Sequence, residues 1–322
     1  MIQVFQRNGL KKWREELMID LIILGNGMAG MTAALYAKRA GLDFKLVGRD
    51  EYDFGQIGEA ILVENYSCVE NLSGFDLGMK LHDQLANLDV YAEEHIVKKI
   101  RRPDNYFEIE YTDGNKDQAI AVIYALGATP RKINCQIDGE VNIHYCALCD
   151  GALYRNKNVV VIGGGDSAFT QAEYLSKICM HVQILMCDTN ITANKALVER
   201  VKKNSSIDIC YNFPVNHIKK VGEDSYNLFS DGVRGFFITN GIFVAIGMEP
   251  NIEPIDFGHI WNNEGYILAQ GDCATPVNGF FAAGDVRVKP VRQSITAAAD
   301  GATSVYTAAD YIKVWKSHYE ND

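Results

Sequence analysis

The chain has 322 residues, 48% of them hydrophobic, and a formal net charge of −10. This length exceeds the usual size of a single hydrophobic core and predicts two domains. The negative charge argues against nucleic acid or an anionic membrane as the main partner. No apolar run approaches the length of a membrane span, and residues 1–17 lack the apolar core of a signal peptide. We therefore expect a cytoplasmic protein.

A nucleotide-binding pattern follows residues 1–17, which we interpret as an N-terminal extension. A strand predicted over residues 21–24 leads into a glycine loop, and an alanine-rich helix then runs to about Ala40. This order places a pyrophosphate on the first amides of the helix. The next predicted strand, residues 44–47, is followed by Asp50, where a dinucleotide site needs an acceptor for a ribose hydroxyl. The loop residues of this first site are Gly25, Gly27, Met28, Ala29 and Gly30.

The same pattern returns in the second half of the chain. A strand predicted over residues 159–162 leads into a second glycine loop and a helix to about Cys179, and a strand over residues 182–186 is followed by Asp188. The step from the first glycine to the acidic residue is the same in both halves. The sequence therefore predicts two dinucleotide sites, or one such site and a relic. The candidates in the second loop are Gly163, Gly165, Asp166 and Ser167.

Two further buried strands mark the joints between the domains. Each is followed by a glycine and then a proline, Gly127 with Pro130 and Gly247 with Pro250, which makes both segments natural hinges. We therefore predict an α/β fold of two Rossmann-like, three-layer domains, the second inserted into the first. Residues 18–130 and 251–322 form the first domain, and residues 131–250 form the second.

Cys146 and Cys149 are separated by two residues, so they can close a tight disulfide ring, and one thiol can lower the pKa of the other. A lone CxxC is a weak signal that also suits half of a zinc site, but no second CxxC and no HxxxH occur in the chain. We predict no metal, and we interpret the six other cysteines as core or surface residues. A dithiol beside a nucleotide loop indicates redox chemistry on disulfides.

These motifs resemble those of the low-molecular-weight thioredoxin reductases, FAD-containing disulfide oxidoreductases, over about residues 18–311. The segments that carry the resemblance occur in the family's order: residues 25–30, 55–56, 63–66, 146–151, 163–168, 281–286 and 292–293. The resemblance implies that residues 25–30 cradle the FAD pyrophosphate. It implies that Asp285 contacts the ribityl or phosphate region and that Arg292 and Gln293 lie along the isoalloxazine. The same cofactor site would include Gly55, Gln56, Asn65 and Gly127.

The resemblance also implies a mechanism. Reduced FAD would pass electrons to the Cys146/Cys149 disulfide, with Cys149 nearer the flavin and Cys146 attacking the disulfide of thioredoxin or a thioredoxin-like protein. Asp150 would give or take the protons that this reduction requires; capping of a helix or plain solvation is its alternative role. A homodimer and a rotation of one domain against the other complete what the family implies.

One departure from the family concerns the electron donor. In the NADPH enzymes of this family the strand after the second glycine loop is followed by His-Arg-Arg and a further arginine, because a 2'-phosphate needs dense positive charge. Here residues 185–194 contain no arginine or lysine, and Asp188 would repel the phosphate. The sequence therefore argues against NADPH. Three electron donors remain: NADH with Asp188 on its ribose, a second FAD, and a one-electron protein donor such as ferredoxin.

The C-terminal helix, predicted over residues 293–314, bears on this choice. Trp315 and Tyr319 are four residues apart, so on one helix they share a face and could stack over the flavin. Such a cap would block direct hydride transfer from NADH. A core or dimer-interface role is the alternative. The aromatic cap favours ferredoxin or a second FAD as the donor. Two alternative functions lie outside the disulfide reductases: a ferredoxin or flavodoxin reductase, and a regulatory flavoprotein. Neither would need the dithiol.

Overall fold

The computed structural model describes residues 18–60, 63, 65–70 and 72–319, without the side chains of residues 149 and 319. The N-terminal extension lies outside these residues. The strands are β1 (Ile19–Leu24), β2 (Phe44–Gly48), β3 (Ala92–Glu94), β4 (Val97–Arg101), β5 (Phe107–Tyr111), β6 (Lys116–Tyr124), β7 (Ala128–Pro130), β8 (Gln136–Asp138), β9 (Ile143–His144), β10 (Asn158–Ile162), β11 (His181–Leu185), β12 (Ile207–Cys210), β13 (His217–Gly222), β14 (Ser225–Phe229), β15 (Phe237–Thr239), β16 (Gly241–Val244), β17 (Met248–Pro250) and β18 (Phe280–Ala282). The helices are α1 (Met28–Ala40), α2 (Gly74–Ala86), α3 (Ala147–Asp150), α4 (Asp166–Leu175), α5 (Lys195–Lys203) and α6 (Ser294–Tyr319), with 3₁₀ turns at Gly55–Glu59, Gly151–Tyr154 and Gly284–Val286.

The chain divides into two compact units. Unit 1 combines the described residues up to Glu59, from Glu64 to Thr129 and from Pro250 onward, whereas unit 2 consists of the described part of Ala60–Val63 together with Pro130–Glu249. Each unit contains one glycine loop, and the dithiol motif belongs to unit 2.

Unit 1 is built on a sheet in the order β3-β2-β1-β6-β5-β4, with β18 also paired to β6. β1 runs parallel to β2 and β6, so its carboxyl end, where the first glycine loop begins, lies at the same edge as theirs. Successive side chains of β1 face opposite sides: Leu21 and Ile23 pack with helices α1 and α6, and Ile22 and Leu24 pack in a separate cluster on the other face. Because both faces are buried, β1 reads as a continuous apolar run.

Unit 2 repeats this plan with a parallel sheet in the order β12-β11-β10-β16-β9. Val159 and Val161 of β10 pack against α4 and α5, and Val160 and Ile162 face a second sheet in the order β15-β14-β13-β8. The predicted α/β class with two Rossmann-like domains is confirmed. Within the described ranges, no helix combines the length and the apolar character that crossing a bilayer requires.

Several element bounds differ from the prediction. α4 ends at Leu175 rather than near residue 179, because the chain turns there and buries Cys179 in the unit 2 core. α6 continues to Tyr319, beyond the predicted end at residue 314, because Ile312 and Trp315 are still buried against unit 1. The segment after Phe54 forms a 3₁₀ turn at Gly55–Glu59.

Candidate functional site

The first glycine loop brings the start of α1 against the ends of β1 and β6. Gly25 has a φ of +105°, and a Cβ atom there would lie 2.4 Å from the carbonyl oxygen of Ala125. Only glycine therefore fits this close turn. Gly27 precedes α1 without a side-chain cap, and the first turn of α1 contains no acidic residue. The first amides of α1, from Met28 through Gly30, are available to an anion, as the sequence predicted for a pyrophosphate.

The acid that follows β2 is tied to this loop. The side chain of Asn26 donates from Nδ2 to the backbone carbonyl of Asp50 at 2.8 Å. The Asp50 side chain is exposed, and its Oδ1 atom accepts the backbone N–H of Tyr52 at 2.8 Å. The structure thus places Asp50 beside the loop at the end of the second strand, where a ribose acceptor is expected.

Hydrogen bonds connect the other predicted flavin residues across long stretches of unit 1. The side-chain amide of Gln56 donates to the carbonyl oxygen of Ala128, next to Gly127. The Nδ2 atom of Asn65 donates to Oε1 of Gln293 at 2.9 Å. These hydrogen bonds hold residue 56 against residue 128 and residue 65 against residue 293.

Asp285 carries a buried polar atom without a hydrogen-bond partner in the part of the chain that the structure describes. Its Oδ1 atom has no hydrogen-bond partner among the described residues, and burial raises the pKa of its carboxyl group. An unsatisfied buried acceptor is costly unless a ligand supplies a donor. The guanidinium of Arg292 lies 3.8 Å from the centre of the Tyr266 ring, and its Nε atom is also buried and unpartnered within the same residues. This pair of an acceptor and a donor fits FAD, because the ribityl chain of FAD carries hydroxyl donors and its isoalloxazine ring carries acceptors.

The dithiol turn is built by unit 2. Cys146 is disulfide-bonded, whereas Cys68, Cys135, Cys179, Cys187, Cys210 and Cys273 are free. Gln171 of α4 holds this turn: its Oε1 accepts the N–H of Ala147 at 3.1 Å, and its Nε2 donates to the carbonyl of Tyr145 at 3.4 Å. Burial raises the pKa of Cys179 to about 11 and that of Cys273 to about 12, which makes both thiols unreactive.

Asp150 lies in a hydrogen-bonded network that the motifs did not indicate. Its Oδ2 atom is 2.7 Å from Nδ1 of His144, and Nε2 of His144 is 2.7 Å from the hydroxyl oxygen of Tyr154. The Asp150 side chain is only 15% exposed, and it makes no capping hydrogen bond to the turn that follows it. Asp150 is therefore neither simply solvated nor a cap of the turn that follows it. In the sequence, the signal that could have indicated this network is His144, two positions before Cys146.

The second glycine loop makes the same kind of close turn as the first. Gly163 has a φ of +147°, and a Cβ atom there would lie 2.3 Å from the carbonyl oxygen of Ala245. Gly165 precedes α4 without a side-chain cap. Unlike α1, α4 carries an acid in its first turn, Asp166, and the Oδ1 atom of Asp166 accepts the N–H of Asn194 at 2.6 Å. Ser167, the next residue of α4, accepts a hydrogen bond from Gln171 at 3.2 Å.

The segment after β11 packs on this loop. The N–H of Thr192 donates to the carbonyl of Gly164 at 3.0 Å, and Asn194 contacts Asp166 as described. Asp188, at the start of the segment, is exposed, and its Oδ1 atom accepts the N–H of Asn190 at 2.7 Å. An exposed carboxylate thus follows β11, where the resemblance leads us to expect arginines in an enzyme that uses NADPH.

The aromatic cap predicted for the C-terminal helix is wrong for Trp315. Its side chain is 8% exposed within the unit 1 core, and its indole N–H donates to the carbonyl of Asn105 at 2.9 Å. A ring held in this way does not cover a flavin, and the core alternative holds. The Tyr319 side chain lies outside what the structure describes. The argument that an aromatic cap blocks NADH therefore loses its support.

Comparison with known proteins agrees with these features. The profile of the family described as "Pyridine nucleotide-disulphide oxidoreductase" matches residues 19–302. Thioredoxin reductase of Bacillus subtilis is 34% identical over 307 residues, covering 93% of this chain and 96% of the relative. A "34.2 kDa protein in rubredoxin operon" of Clostridium pasteurianum is 36% identical over 309 residues, covering 93% of this chain and 99% of that protein. The structure of thioredoxin reductase from Streptococcus pyogenes superposes with a TM-score of 0.79 at 30% identity, covering 92% of this chain and 99% of that one.

Proposed function

Because this chain belongs to the pyridine nucleotide-disulphide oxidoreductase family and is an FAD-dependent, thioredoxin-reductase-like disulfide oxidoreductase, we propose that it uses NADH to reduce the disulfide of thioredoxin or a thioredoxin-like protein. The observation that carries the choice of donor is Asp188, an exposed carboxylate on the segment that packs against the second glycine loop.

FAD, when bound, accepts and donates electrons in pairs and so links a hydride donor to a disulfide. The amides at the start of α1 would hold its pyrophosphate, and Asp50 would accept a hydrogen bond from its ribose. The buried Oδ1 atom of Asp285 would accept a hydrogen bond from a hydroxyl of the ribityl chain. Arg292 and Gln293 would lie beside the isoalloxazine ring. The remaining proposed contacts are Gly25, Gly27, Met28, Ala29, Gly30, Gly55, Gln56, Asn65 and Gly127.

The output of the enzyme is the Cys146/Cys149 pair. The thiolate of Cys146 attacks the partner disulfide, and Cys149 resolves the mixed disulfide, so that a disulfide forms in this chain and two thiols form on the partner. Asp150 moves the protons of this exchange. Its low exposure and its contact with His144, rather than with water or a helix end, support that role.

NADH is favoured over NADPH by charge. The second loop, with Gly163, Gly165 and Ser167 at the start of α4, resembles the pyrophosphate site of unit 1, and Asp188 can accept a ribose 2'-hydroxyl. The 2'-phosphate of NADPH would meet this carboxylate with no arginine or lysine in residues 185–194 to offset it. Since Trp315 is part of the core, ferredoxin and a second FAD become alternative outcomes of the test rather than the favoured donors.

The test is an anaerobic titration of the FAD-loaded protein with NADH, NADPH and reduced ferredoxin, followed at the flavin absorbance band. We expect NADH to bleach the flavin at least about tenfold faster than NADPH, since one lost charged hydrogen bond corresponds to that factor. Asp188→Asn should slow bleaching by NADH by a similar factor. The matched control is Asp208→Asn, another exposed acid of unit 2, which pairs with His181 at 3.3 Å.

Equal rates with NADPH and NADH would contradict the choice of donor. Faster bleaching by ferredoxin alone, or two FAD molecules per chain, would replace NADH by one of the alternatives. Reduction of the protein disulfide should be lost in Cys149→Ser with FAD retained, and it should persist in Cys210→Ser, which removes a half-buried free cysteine of the same unit. Full turnover by Cys149→Ser would contradict the disulfide route.

A further inference from the structure

His144 connects Asp150 to the buried Tyr154, and the proposed reaction assigns no step to this histidine. It ends β9, two positions before Cys146, and both of its ring nitrogens are engaged: Nδ1 lies 2.7 Å from Asp150 Oδ2, and Nε2 lies 2.7 Å from the Tyr154 hydroxyl. The side chains of His144 and Asp150 are 14% and 15% exposed. Hydrogen bonds at such a site are stronger than on an open surface because water competes less.

Packing fixes the orientation of the ring. The imidazole lies against Phe243 of β16, with ring centres 5.2 Å apart, and meets the edge of Tyr154 at the same distance. Tyr154 in turn fills the space above Gly241, where a Cβ atom would lie 2.6 Å from the tyrosine ring. The three polar groups are therefore held in line by the core of unit 2.

This line of groups can hold a proton at more than one place. A neutral imidazole carries one N–H and one bare nitrogen, whereas an imidazolium carries two N–H groups. With Asp150 ionised, Nδ1–H can donate to the carboxylate; with Asp150 protonated, its O–H can donate to Nδ1. The contact persists in both cases. A proton can thus pass between the two groups without a change of rotamer.

We propose that His144 is a positioning residue that stores a proton for Asp150 and so sustains the proton transfers of thiol–disulfide exchange at Cys146 and Cys149. This inference rests on the proposed function. The histidine itself does not touch the reacting sulfurs in the proposal; it acts through Asp150.

The balance of the exchange shows why a store is useful. The partner's S–S bond breaks, an S–S bond forms between Cys146 and Cys149, and the electron pair passes from this dithiol to the partner. Two protons leave the thiols of this chain and two are bound by the partner's sulfurs. A carrier must therefore take a proton when the attacking thiol ionises and return one to the leaving thiolate. Asp150 with His144 can do both within one network.

Other titratable groups lie beyond the tyrosine. The Nζ atom of Lys157 is 5.9 Å from the centre of the Tyr154 ring and pairs with Asp224 at 2.8 Å. Burial, with smaller effects of Tyr226, Asp150 and Asp224, raises the pKa of Tyr154 to about 12. Tyr154 therefore remains a neutral hydroxyl near pH 7 and donates or accepts without taking up charge. Phe243, on the face of the ring, contributes no charge.

The first test follows the thiols without any turnover of FAD. Wild type and His144→Gln are reduced with dithiothreitol and alkylated with iodoacetamide between pH 5 and 9, and the peptide that contains Cys146 and Cys149 is quantified by mass spectrometry. Loss of the imidazole leaves Asp150 without its proton partner and disfavours the thiolate. We expect the midpoint of alkylation to move to higher pH by about half a unit or more. The exposed free Cys187 serves as the internal reference.

The second test measures reduction of a thioredoxin disulfide as a function of pH. His144→Gln should lower kcat by about tenfold or more, with KM for the protein disulfide changed less than about twofold, because a proton-transfer step is impaired and binding is not. Tyr154→Phe keeps the ring above Gly241 and removes only the hydroxyl, so its effect should be smaller and in the same direction.

His217 provides a matched control. It pairs with Asp138 at 2.8 Å and stacks on Phe229 with ring centres 5.2 Å apart, so it makes the same two kinds of contact in the same unit at a more exposed position. His217→Gln should leave the alkylation midpoint and kcat unchanged. Melting temperature and FAD content are measured for every variant.

The outcomes separate the two proposals. An unchanged alkylation midpoint and an unchanged pH profile in both His144→Gln and Tyr154→Phe overturn the role of His144, while wild-type turnover still supports the proposed function. Equal losses in His144→Gln and His217→Gln also overturn it, because they indicate a structural role. If wild type does not reduce the thioredoxin disulfide but the alkylation midpoint shifts in His144→Gln, the choice of partner fails and the coupling of His144 to the dithiol stands.

Discussion

If Asp285 binds FAD as proposed, its buried Oδ1 atom, which has no hydrogen-bond partner in the described part of the chain, links binding of the cofactor to stability. Burial raises the pKa of this carboxyl above its ordinary value of 3.8. For an acid with a raised pKa in the folded state, stability is greatest below the unfolded value and falls as the pH rises through the two pKa values. Above the unfolded-state value, the raised pKa of Asp285 therefore lowers the free energy of unfolding of the FAD-free protein.

Asp285→Asn should remove this cost and weaken the cofactor site. We expect the FAD-free variant to unfold in urea with a free energy higher by about 1 kcal/mol at pH 7, and with a smaller difference near pH 4. We expect its affinity for FAD to fall about tenfold or more. The control is Asp256→Asn, an exposed acid of unit 1 that pairs with Lys99 at 2.6 Å. Tight FAD binding by Asp285→Asn would contradict the assignment.

Individual residues differed in how far sequence could predict them. Cys146 belongs to a CxxC spacing that indicates redox chemistry, and Asp285 and Asp150 stand in motifs that resemble those of the family, so the sequence identified all three as candidates. His144 stands in no such motif, and its contacts with Asp150 and Tyr154 arise only when β9, α3 and the following 3₁₀ turn fold together. Trp315 shows the reverse error: its spacing to Tyr319 suggested a cap over the flavin, whereas tertiary packing places the ring in the core, which was the alternative.

The two glycine loops have nearly the same backbone and are expected to do different work. Gly25 and Gly163 both have positive φ, and each lies too close to a carbonyl oxygen to tolerate a Cβ atom. If the first loop holds FAD and the second holds NADH, Gly25→Ala should lose FAD. Gly163→Ala should keep FAD and lose its reduction by NADH. Absorbance of the purified variants and an anaerobic titration measure both.

A milder variant guards against failure to fold. At Gly27 a Cβ atom would lie 3.4 Å from the carbonyl oxygen of Phe54, an ordinary contact distance, and φ is not positive there. Gly27→Ala should therefore fold and bind FAD more weakly than wild type. Loss of FAD from both Gly25→Ala and Gly163→Ala would instead indicate one flavin at each loop.

Elements were more predictable in their cores than at their ends. β1 and β10 are buried on both faces, so their apolar runs and the glycines after them identified both strands. The end of α4 at Leu175 and the extension of α6 to Tyr319 depend on which side chains find a core to pack on. Local sequence carries little of that information.

At the scale of the whole molecule, the proposed mechanism requires the single CxxC dithiol to serve two reactions. The chain enters unit 2 after Thr129 and returns to unit 1 after Glu249. If unit 1 holds FAD, the dithiol of unit 2 must meet the flavin and then a protein disulfide, and a change of arrangement at these two crossings is the simplest means. Gly127 and Gly247, with φ of +66° and +109°, lie close to the crossings. We expect them to absorb the backbone rotation.

Replacing both glycines tests this expectation. Gly127→Ala combined with Gly247→Ala restricts φ at the crossings, so turnover per bound FAD should fall about three- to tenfold while the alkylation midpoint of the reduced dithiol stays unchanged. Because Gly127 is also a proposed FAD contact, Gly247→Ala alone is the variant that should keep its FAD content. Gly114→Ala is the matched control, because Gly114 has a φ of +91° with open space around it and lies in the turn between β5 and β6. It imposes the same local strain where no crossing occurs. Equal losses of turnover in the control and in the double variant would show that strain, rather than restricted rotation, slows the enzyme.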